Sequence, residues 1–306
     1  MVKTGVVTKN TGSWYQVQTE TESLECRIKG KFRLKGIRST NPVAVGDIVD
    51  VDAEHNTIVA IHERKNFLVR KSTNLSKQTH VIAANIDQAV LVATVSYPVT
   101  TTVFIDRFLS TAEAYDIPAK LIFNKTDLYN EDETDKLAEW MAVYTDIGYE
   151  CLFTSVTKAK NIDKVSRLLK GKVSLLSGHS GVGKSSLINA VDPGMKLKTQ
   201  EISEAHHSGK HTTTFSEMHP LKIGGYIIDT PGIRGFGTID FERNEIYHFF
   251  PEIFKTATNC KYHNCIHVEE PGCAVKEAVE NGEISYSRYI SYLNILEDPD
   301  DNKYRV

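Results

Sequence analysis

The order of two short motifs constrains this chain more than any bulk property. Asn124-Lys125-Thr126-Asp127 comes before Gly178-His179-Ser180-Gly181-Val182-Gly183-Lys184-Ser185. The first has the composition of a loop that reads guanine. The second fits the phosphate-binding pattern G-x4-G-K-S. In a conventional guanine-nucleotide domain the phosphate loop comes first. Each motif follows an apolar stretch that reads as a buried strand, Lys120–Phe123 and Val173–Leu176. Both therefore sit where their chemistry needs them, and the inversion implies a nucleotide-binding domain whose sequence has been circularly rotated.

The rest of the chain supplies the context that such a domain requires. Before residue 72, short apolar runs (Gly5–Val7, Trp14–Val17, Ile48–Val51, Thr57–Ile61) alternate with turn signals such as Asn10-Thr11-Gly12. That spacing predicts about five short strands closed into a small barrel of the OB type. From about residue 80 the rhythm changes. Ile86–Thr94 is a continuous apolar run, the pattern of a parallel strand buried on both faces. Helical spacing is predicted over Phe104–Tyr115, Glu131–Ile147, Asn161–Leu169 and Lys184–Ala190, and strands over Glu150–Thr154 and Tyr226–Asp229. Strands alternating with helices predict an α/β domain with a mainly parallel sheet. Residues 195 to 219 read as a polar loop, and a last helix is predicted over Ile284–Glu297. The expected organisation is three domains, at residues 1–72, 73–238 and 239–306.

Each nucleotide motif has a physical logic. Glycines in Gly178–Gly183 let backbone N–H groups turn inward around phosphates. Lys184 is placed to reach the β- and γ-phosphates, and the Ser185 hydroxyl to ligate Mg²⁺, with Ser186 opening the following helix. Asp229-Thr230-Pro231-Gly232 ends an apolar strand, so Asp229 can hold Mg²⁺ through water and Gly232 can offer its N–H to the γ-phosphate. A carboxylate at Asp127 accepts from the N1–H and exocyclic amine of guanine together. Adenine presents no such pair of donors, and losing a pairing of that kind discriminates by about 10⁴ or more. Lys125 would lie along the base beside Asn124 and Thr126. Ser155, in Thr154-Ser155-Val156, can place a backbone N–H near the guanine oxygen.

Two further clusters stand apart from the nucleotide motifs. Cys260, His263, Cys265, His267 and Cys273 fall within fourteen residues. Three thiolates and one imidazole make a closed tetrahedral zinc site of the structural kind, and the two histidines leave one ligand open. Arg27, Lys29, Lys31, Arg33 and Lys35 alternate with Ile28, Gly30, Phe32 and Leu34, which on a strand sends the cations to one face. Such a face can bind RNA phosphate, and it can equally be a solvated strand. Arg64, Lys65, Arg70 and Lys71 add a second basic group. The formal net charge is −3, so any nucleic-acid role must rest on patches of this sort. No apolar run approaches the roughly 18 residues that span a membrane, and Met1–Gly5 lacks the apolar stretch of a secretory signal. These features predict a cytoplasmic protein without a membrane partner.

Taken in order, NKTD, TSV, GHSGVGKSS, Gly209-Lys210-His211-Thr212-Thr213-Thr214, DTPG and the Cys/His cluster resemble the RsgA family (also called YjeQ or YloQ), circularly permuted GTPases of bacterial small-subunit ribosome assembly. The resemblance covers essentially the whole chain. It implies an OB-fold barrel, a permuted GTPase domain and a helical zinc domain. It further implies a protein that hydrolyses GTP to GDP with Mg²⁺, binds the 30S subunit and its 16S rRNA, and is stimulated by that subunit; a monomer is expected. The family pattern C-x4-C-x-H-x5-C selects Cys260, Cys265, His267 and Cys273, leaving His263 at the surface. Ile233 follows DTPG where Ras-like enzymes carry a water-positioning glutamine. An isoleucine cannot orient water, so by resemblance His211 is the candidate for that role; the alternative is a solvated loop histidine. One of Thr212, Thr213 and Thr214 closes on Mg²⁺ in the GTP state, with Thr213 the residue taken. The competing function is a GTP-regulated RNA-binding module in which hydrolysis is incidental.

Overall fold

The computed structural model describes residues 1–28, 42–71, 79–197, 217–229 and 242–297, with the backbone alone at residues 70, 71, 79, 80 and 229. The chain packs as two compact units. One holds Met1–Val90, Asp163–Ser177 and Ser185–Ile233; the other holds Leu91–Ile162, Gly178–Lys184 and Arg234–Val306.

The first unit begins with a closed barrel of five strands. These are β1 (Val2–Asn10), β2 (Tyr15–Thr19), β3 (Ser23–Ile28), β4 (Ile48–Asp52) and β5 (Thr57–Ile61). β1 pairs antiparallel with both β2 and β4, β2 with β3, β4 with β5, and β3 runs parallel to β5, so no edge is left open. Period-two burial fills the interior with Val7, Tyr15, Val17, Cys26, Val49, Val51 and Ile58. The expected basic stripe lies almost wholly outside the described residues: Lys29, Lys31, Arg33 and Lys35 are not placed, while Arg27 is exposed on β3 and stacks over the Trp14 ring at 3.7 Å. Arg64 is not a free cation. Its guanidinium holds the fully buried Asp47 carboxylate at 2.6 and 2.7 Å, so it serves the barrel and leaves the proposed second basic group.

The remaining elements follow in chain order. They are β6 (Phe67–Lys71), β7 (Thr79–Ala84), β8 (Gln88–Ala93), α1 (Thr102–Ala114), β9 (Ala119–Phe123), α2 (Glu131–Ile147), β10 (Glu150–Phe153), α3 (Ile162–Leu169), β11 (Val173–Ser177), α4 (Lys184–Val191), β12 (Glu217–Pro220), β13 (Tyr226–Asp229), α5 (Pro251–Ala257), α6 (Ala274–Glu280) and α7 (Tyr286–Glu297). Three differ from the sequence reading. The antiparallel pair β6–β7 was not expected. β12 forms where a loop was read, because His219 and Met218 pair with Ile227 and Ile228 of β13. The helix of the phosphate loop opens at Lys184, as its spacing predicts, and not at Ser186, the residue given as its opening.

Within the first unit β11 and β13 run parallel, with Val173 opposite Tyr226 and Leu175 opposite Ile228. The start of β8 belongs to the same unit: Asp87 donates its N–H to the Val173 carbonyl at 2.9 Å, and the buried Gln88 amide donates to the Leu168 carbonyl and the Ser174 hydroxyl, each at 2.9 Å. The carboxyl ends of β11 and β13 therefore emerge on one edge, where parallel α/β sheets bind their ligands. Ser177, which leads into the phosphate loop, ends β11, and Asp229 ends β13.

In the second unit β9 and β10 pair parallel, and Leu121, Ile122 and Phe123 are fully buried. α2 is delimited by its own residues. Asn130 and Glu133 form a reciprocal capping box at its start, three acids occupy its first turn, and Gly148 closes it in the left-handed conformation. The C-terminal helices share a core of Ile246, Phe250, Ile253, Val275, Ile284 and Tyr292. One ion cluster is sealed inside this unit. The Arg288 guanidinium on α7 donates to Asp106 of α1 at 2.8 Å and to both oxygens of Glu252 of α5 at 2.6 and 3.1 Å. Tyr144 of α2 adds its hydroxyl to Asp106 at 2.9 Å. Burial works against the Arg288 charge, but the two carboxylates outweigh it and drive the guanidinium pKa upward. Removing one member of a sealed pair strands the other. Asp106→Ala is expected to cost about 3–5 kcal/mol of stability in chemical denaturation of the full chain. Asp106→Asn, which keeps a hydrogen-bond acceptor beside Arg288, is expected to cost clearly less.

Candidate nucleotide and metal sites

The candidate base-reading loop, Asn124–Asp127, and the phosphate loop, Gly178–Lys184, meet inside the second unit, and Asn124 joins them. Its backbone N–H continues the sheet to the Ala93 carbonyl at 2.8 Å. Its side-chain amide donates to the Val182 carbonyl of the phosphate loop at 2.9 Å and accepts from the Thr154 hydroxyl at 2.9 Å. Only 2% of the residue is exposed, so each of these bonds replaces water that cannot reach it. Tyr129 adds a bridge between strand ends: its hydroxyl donates to the Asn124 carbonyl and accepts from the Val95 N–H, both at 2.8 Å. Lys125 donates its ammonium to the Tyr97 carbonyl at 2.8 Å. Ser96 bonds Glu133, fastening the segment after β8 to α2.

The phosphate loop is shaped by close backbone approach. Gly178 has φ 138°, and a Cβ there would lie 2.1 Å from the Val92 carbonyl oxygen. Gly183 has φ 94°, and a Cβ would lie 2.5 Å from the Asn124 amide nitrogen. Only glycine meets both demands, the left-handed backbone and the missing volume. Lys184 is seated by the carbonyls of Gly178 and His179 at 2.6 and 2.7 Å, which fixes a positive charge across the loop mouth. His179 stacks on Phe104 of α1 with ring centroids 3.9 Å apart. Burial, then the neighbouring Lys184, lowers its pKa and keeps the imidazole neutral. Ser180 and Gly181 are exposed at the loop crest and Val182 is buried beneath it.

Asp127 stands exposed on a short 3₁₀ turn, Thr126–Leu128. The hydroxyls of Ser155 and Thr157 hold its carboxyl below the usual range, and the Thr157 bond is 2.6 Å. Thr126 donates through both N–H and hydroxyl to the Thr154 carbonyl at 3.2 Å, which ties the base-reading loop to the end of β10. In the first unit, Ser185 is buried on α4 beside Ser186. His211, Thr213 and Gly232 lie outside the described residues, and so does the Asp229 side chain. Sequence reading missed Thr157, Tyr129 and Tyr97. The run of hydroxyls Thr154-Ser155-Val156-Thr157 was the one local signal for the first of these.

Cys260, Cys265, His267 and Cys273 converge near the C-terminal core, with their four donor atoms within 4.8 Å of one another. His267 turns Nδ1 to Cys260 and Cys273 at 3.6 and 3.4 Å, and the two sulfurs are 4.0 Å apart. A tetrahedral ion with bonds of about 2.0–2.3 Å has ligand-to-ligand edges of roughly 3.5–3.8 Å, so this set fits one. The donor chemistry fits too. Burial pushes the Cys265 thiol up to about 12 and raises Cys273, while it lowers the His267 pKa, so a bound cation would be what holds these thiols as thiolates. Tyr289 and Tyr292 of α7 brace the cluster through the carbonyls of His267 and Ile266 at 2.8 and 2.6 Å. His263 is exposed and outside it, as the pattern implied.

A guanine-type reading loop joined to a phosphate loop that follows it in the chain, behind a five-stranded barrel and ahead of a Cys/His cluster, defines the circularly permuted GTPase fold. Residues 61–239 match the family model described as RsgA GTPase, and residues 4–61 the model described as RsgA N-terminal domain. The chain belongs to the RsgA GTPase family. It is 59% identical over 306 residues to the small ribosomal subunit biogenesis GTPase RsgA of Bacteroides fragilis strain YCH46, covering 99% of each. It is 57% identical to the protein of that name in Flavobacterium johnsoniae, covering 99% of this chain and 95% of the other. Among solved structures, YjeQ of Thermotoga maritima superposes with a TM-score of 0.80 at 36% identity, covering 98% of this chain and 99% of that one. YloQ, described as a circularly permuted GTPase, gives 0.75 at 30% identity, covering 100% and 98%.

The geometry at Gly183 yields a test. Gly183→Ala forces the Asn124 amide away from Val182 and strains the loop. Nucleotide affinity is expected to fall by about ten- to a hundredfold, the effect of losing one buried hydrogen bond plus strain. Titration with a fluorescent guanine nucleotide measures it.

Proposed function

We propose that this chain is a GTPase that acts in maturation of the small ribosomal subunit, converting GTP to GDP and phosphate with hydrolysis stimulated by the subunit. The observation that supports the reading is the Asn124 junction, which joins the loop that carries Asp127 to the loop Gly178–Lys184. Asn124, Lys125, Thr126, Asp127 and Ser155 take the base. Gly178–Lys184 take the phosphates, with Lys184 catalytic in neutralising charge that develops on them. Ser185 and Ser186, in the first turn of α4, follow the loop directly in sequence and complete the nucleotide contacts. Ser185 and Asp229 would hold Mg²⁺, which would supply charge neutralisation to the phosphates. Gly232 and Thr213 sense the γ-phosphate, and His211 orients the attacking water that Ile233 cannot. This leaves hydrolysis slow until the subunit completes the site.

The names of its relatives support the small-subunit role. In this reading residues 1–72 form the RNA- and ribosome-binding barrel, with Lys29, Lys31, Arg33 and Lys35 on 16S rRNA phosphates. Residues 73–238 form the permuted GTPase domain, and residues 239–306 a helical domain built on one structural zinc ion at Cys260, Cys265, His267 and Cys273. The protein works as a cytoplasmic monomer. Among the described residues no helix is long and apolar enough to cross a membrane.

Steady-state hydrolysis with and without purified small subunits tests the central claim. Stimulation of more than about tenfold is expected, well inside the range a completing group supplied in trans can give. ATP turned over as readily as GTP, or no response to the subunit, would overturn the reading. For the metal, elemental analysis of protein purified without chelators is expected to find one zinc ion per chain, and its removal to lower the melting temperature. Metal-free protein that melts at the same temperature rejects the zinc assignment.

A further inference from the structure

Thr157 lies beyond every motif used so far, yet its hydroxyl makes a short bond to the carboxylate proposed to read the base. The loop that carries it is closed by its own backbone. Lys160 donates to the Ser155 carbonyl at 2.8 Å, Ser155 returns its N–H to Lys160 at 3.3 Å, and Ala159 donates to Val156 at 3.1 Å. Asn161 ties the loop to β10 through the Phe153 carbonyl at 2.8 Å, and the Lys160 ammonium sits 4.7 Å over the Phe153 ring. Within this frame Ser155 accepts from the Lys158 N–H at 3.1 Å and lies 3.0 Å from the Thr157 hydroxyl. Thr157 is thus presented by a fixed turn, whereas Asp127 stands on a one-turn 3₁₀ segment in solvent.

Reading guanine needs both carboxylate oxygens coplanar with the N1–H and the exocyclic amine. A carboxylate rotating freely in water must lose that freedom when the base docks, and affinity falls by the cost of ordering it. A hydroxyl already bonded to one oxygen removes the cost beforehand. It need not be displaced, because each carboxylate oxygen accepts more than one hydrogen bond. The bond is also charge-assisted, so it strengthens when the base covers it and excludes water.

We infer that Thr157 is a positioning residue for base recognition: it sets the plane of the Asp127 carboxylate and thereby the preference for guanine over hypoxanthine. The inference rests on the base-reading site proposed above. Inosine diphosphate is the discriminating probe, since it keeps the N1–H and lacks the amine. Affinities of the full chain for GDP and for inosine diphosphate are measured by competition against a fluorescent guanine nucleotide, in the wild type, Thr157→Val and Thr157→Ser. The valine variant keeps the shape without the hydroxyl. It is expected to lose GDP affinity by about tenfold, as for one hydrogen bond to a charged group. Its affinity for inosine diphosphate should change much less, so the ratio between the two contracts. The serine variant is expected to match the wild type. A structural role alone would weaken both nucleotides together and leave their ratio unchanged, and that result overturns the inference while the site stands. A wild type that binds both nucleotides equally overturns the base reading and the inference with it.

Discussion

One buried amide holds the candidate nucleotide site together. Asn124 is anchored by its backbone to β8 through Ala93, by its oxygen to the end of β10 through Thr154, and by its nitrogen to the phosphate loop through Val182. Three chain segments far apart in sequence therefore share one side chain that water does not reach. An amide suits the place because it donates and accepts at once. An aspartate would set a charge against the Val182 carbonyl, and a leucine would leave both the carbonyl and the Thr154 hydroxyl buried without partners.

Rotation of the sequence leaves this junction intact because the contacts depend on strand ends and not on chain order. The Val92 carbonyl presses on Gly178, Ala93 receives Asn124, and Val95 meets Tyr129, so the carboxyl end of β8 supports both loops. In this chain β8 precedes the base-reading loop and the phosphate loop alike. Whichever strand the chain enters first, the same backbone groups must be paired at the edge where the ligand docks. The two motifs can therefore exchange order in sequence while their chemistry keeps its geometry.

The features legible in the sequence are those written in local pattern. The boundaries of α2 follow from Asn130, Glu133 and Gly148, and the burial of β8 from its unbroken apolar run. The Cys/His cluster follows from cysteine spacing, and the barrel from alternation and turns. What escaped reading depends on partners distant in the chain. Arg64 looked like a surface cation because nothing near it in sequence announces Asp47 as its buried partner. β12 was read as loop because Glu217-Met218-His219-Pro220 is too short and polar to declare itself before β13 lies beside it. Thr157 sits in a run of hydroxyls, but nothing in that run points to Asp127, thirty residues earlier, as its partner. The basic stripe past Arg27 and the segment with His211 fall outside the described residues, so their reading still rests on composition and resemblance.

Helix α1 shows how such distant pairings build a mechanical connection. Its first turn carries Phe104, stacked on His179 of the phosphate loop, and its second carries Asp106, paired with Arg288 of α7. α7 in turn braces the Cys/His cluster through Tyr289 and Tyr292. Phe104 and Asp106 are two residues apart and point to different sides of the helix, so a rigid rod stands between the two contacts. A buried ion pair adds little net stability over apolar packing, but it tolerates almost no change of geometry before its charges are stranded. The Arg288 cluster thus pairs α7 with α1 at one point, and it links the Cys/His cluster to the same helix on which the phosphate loop rests.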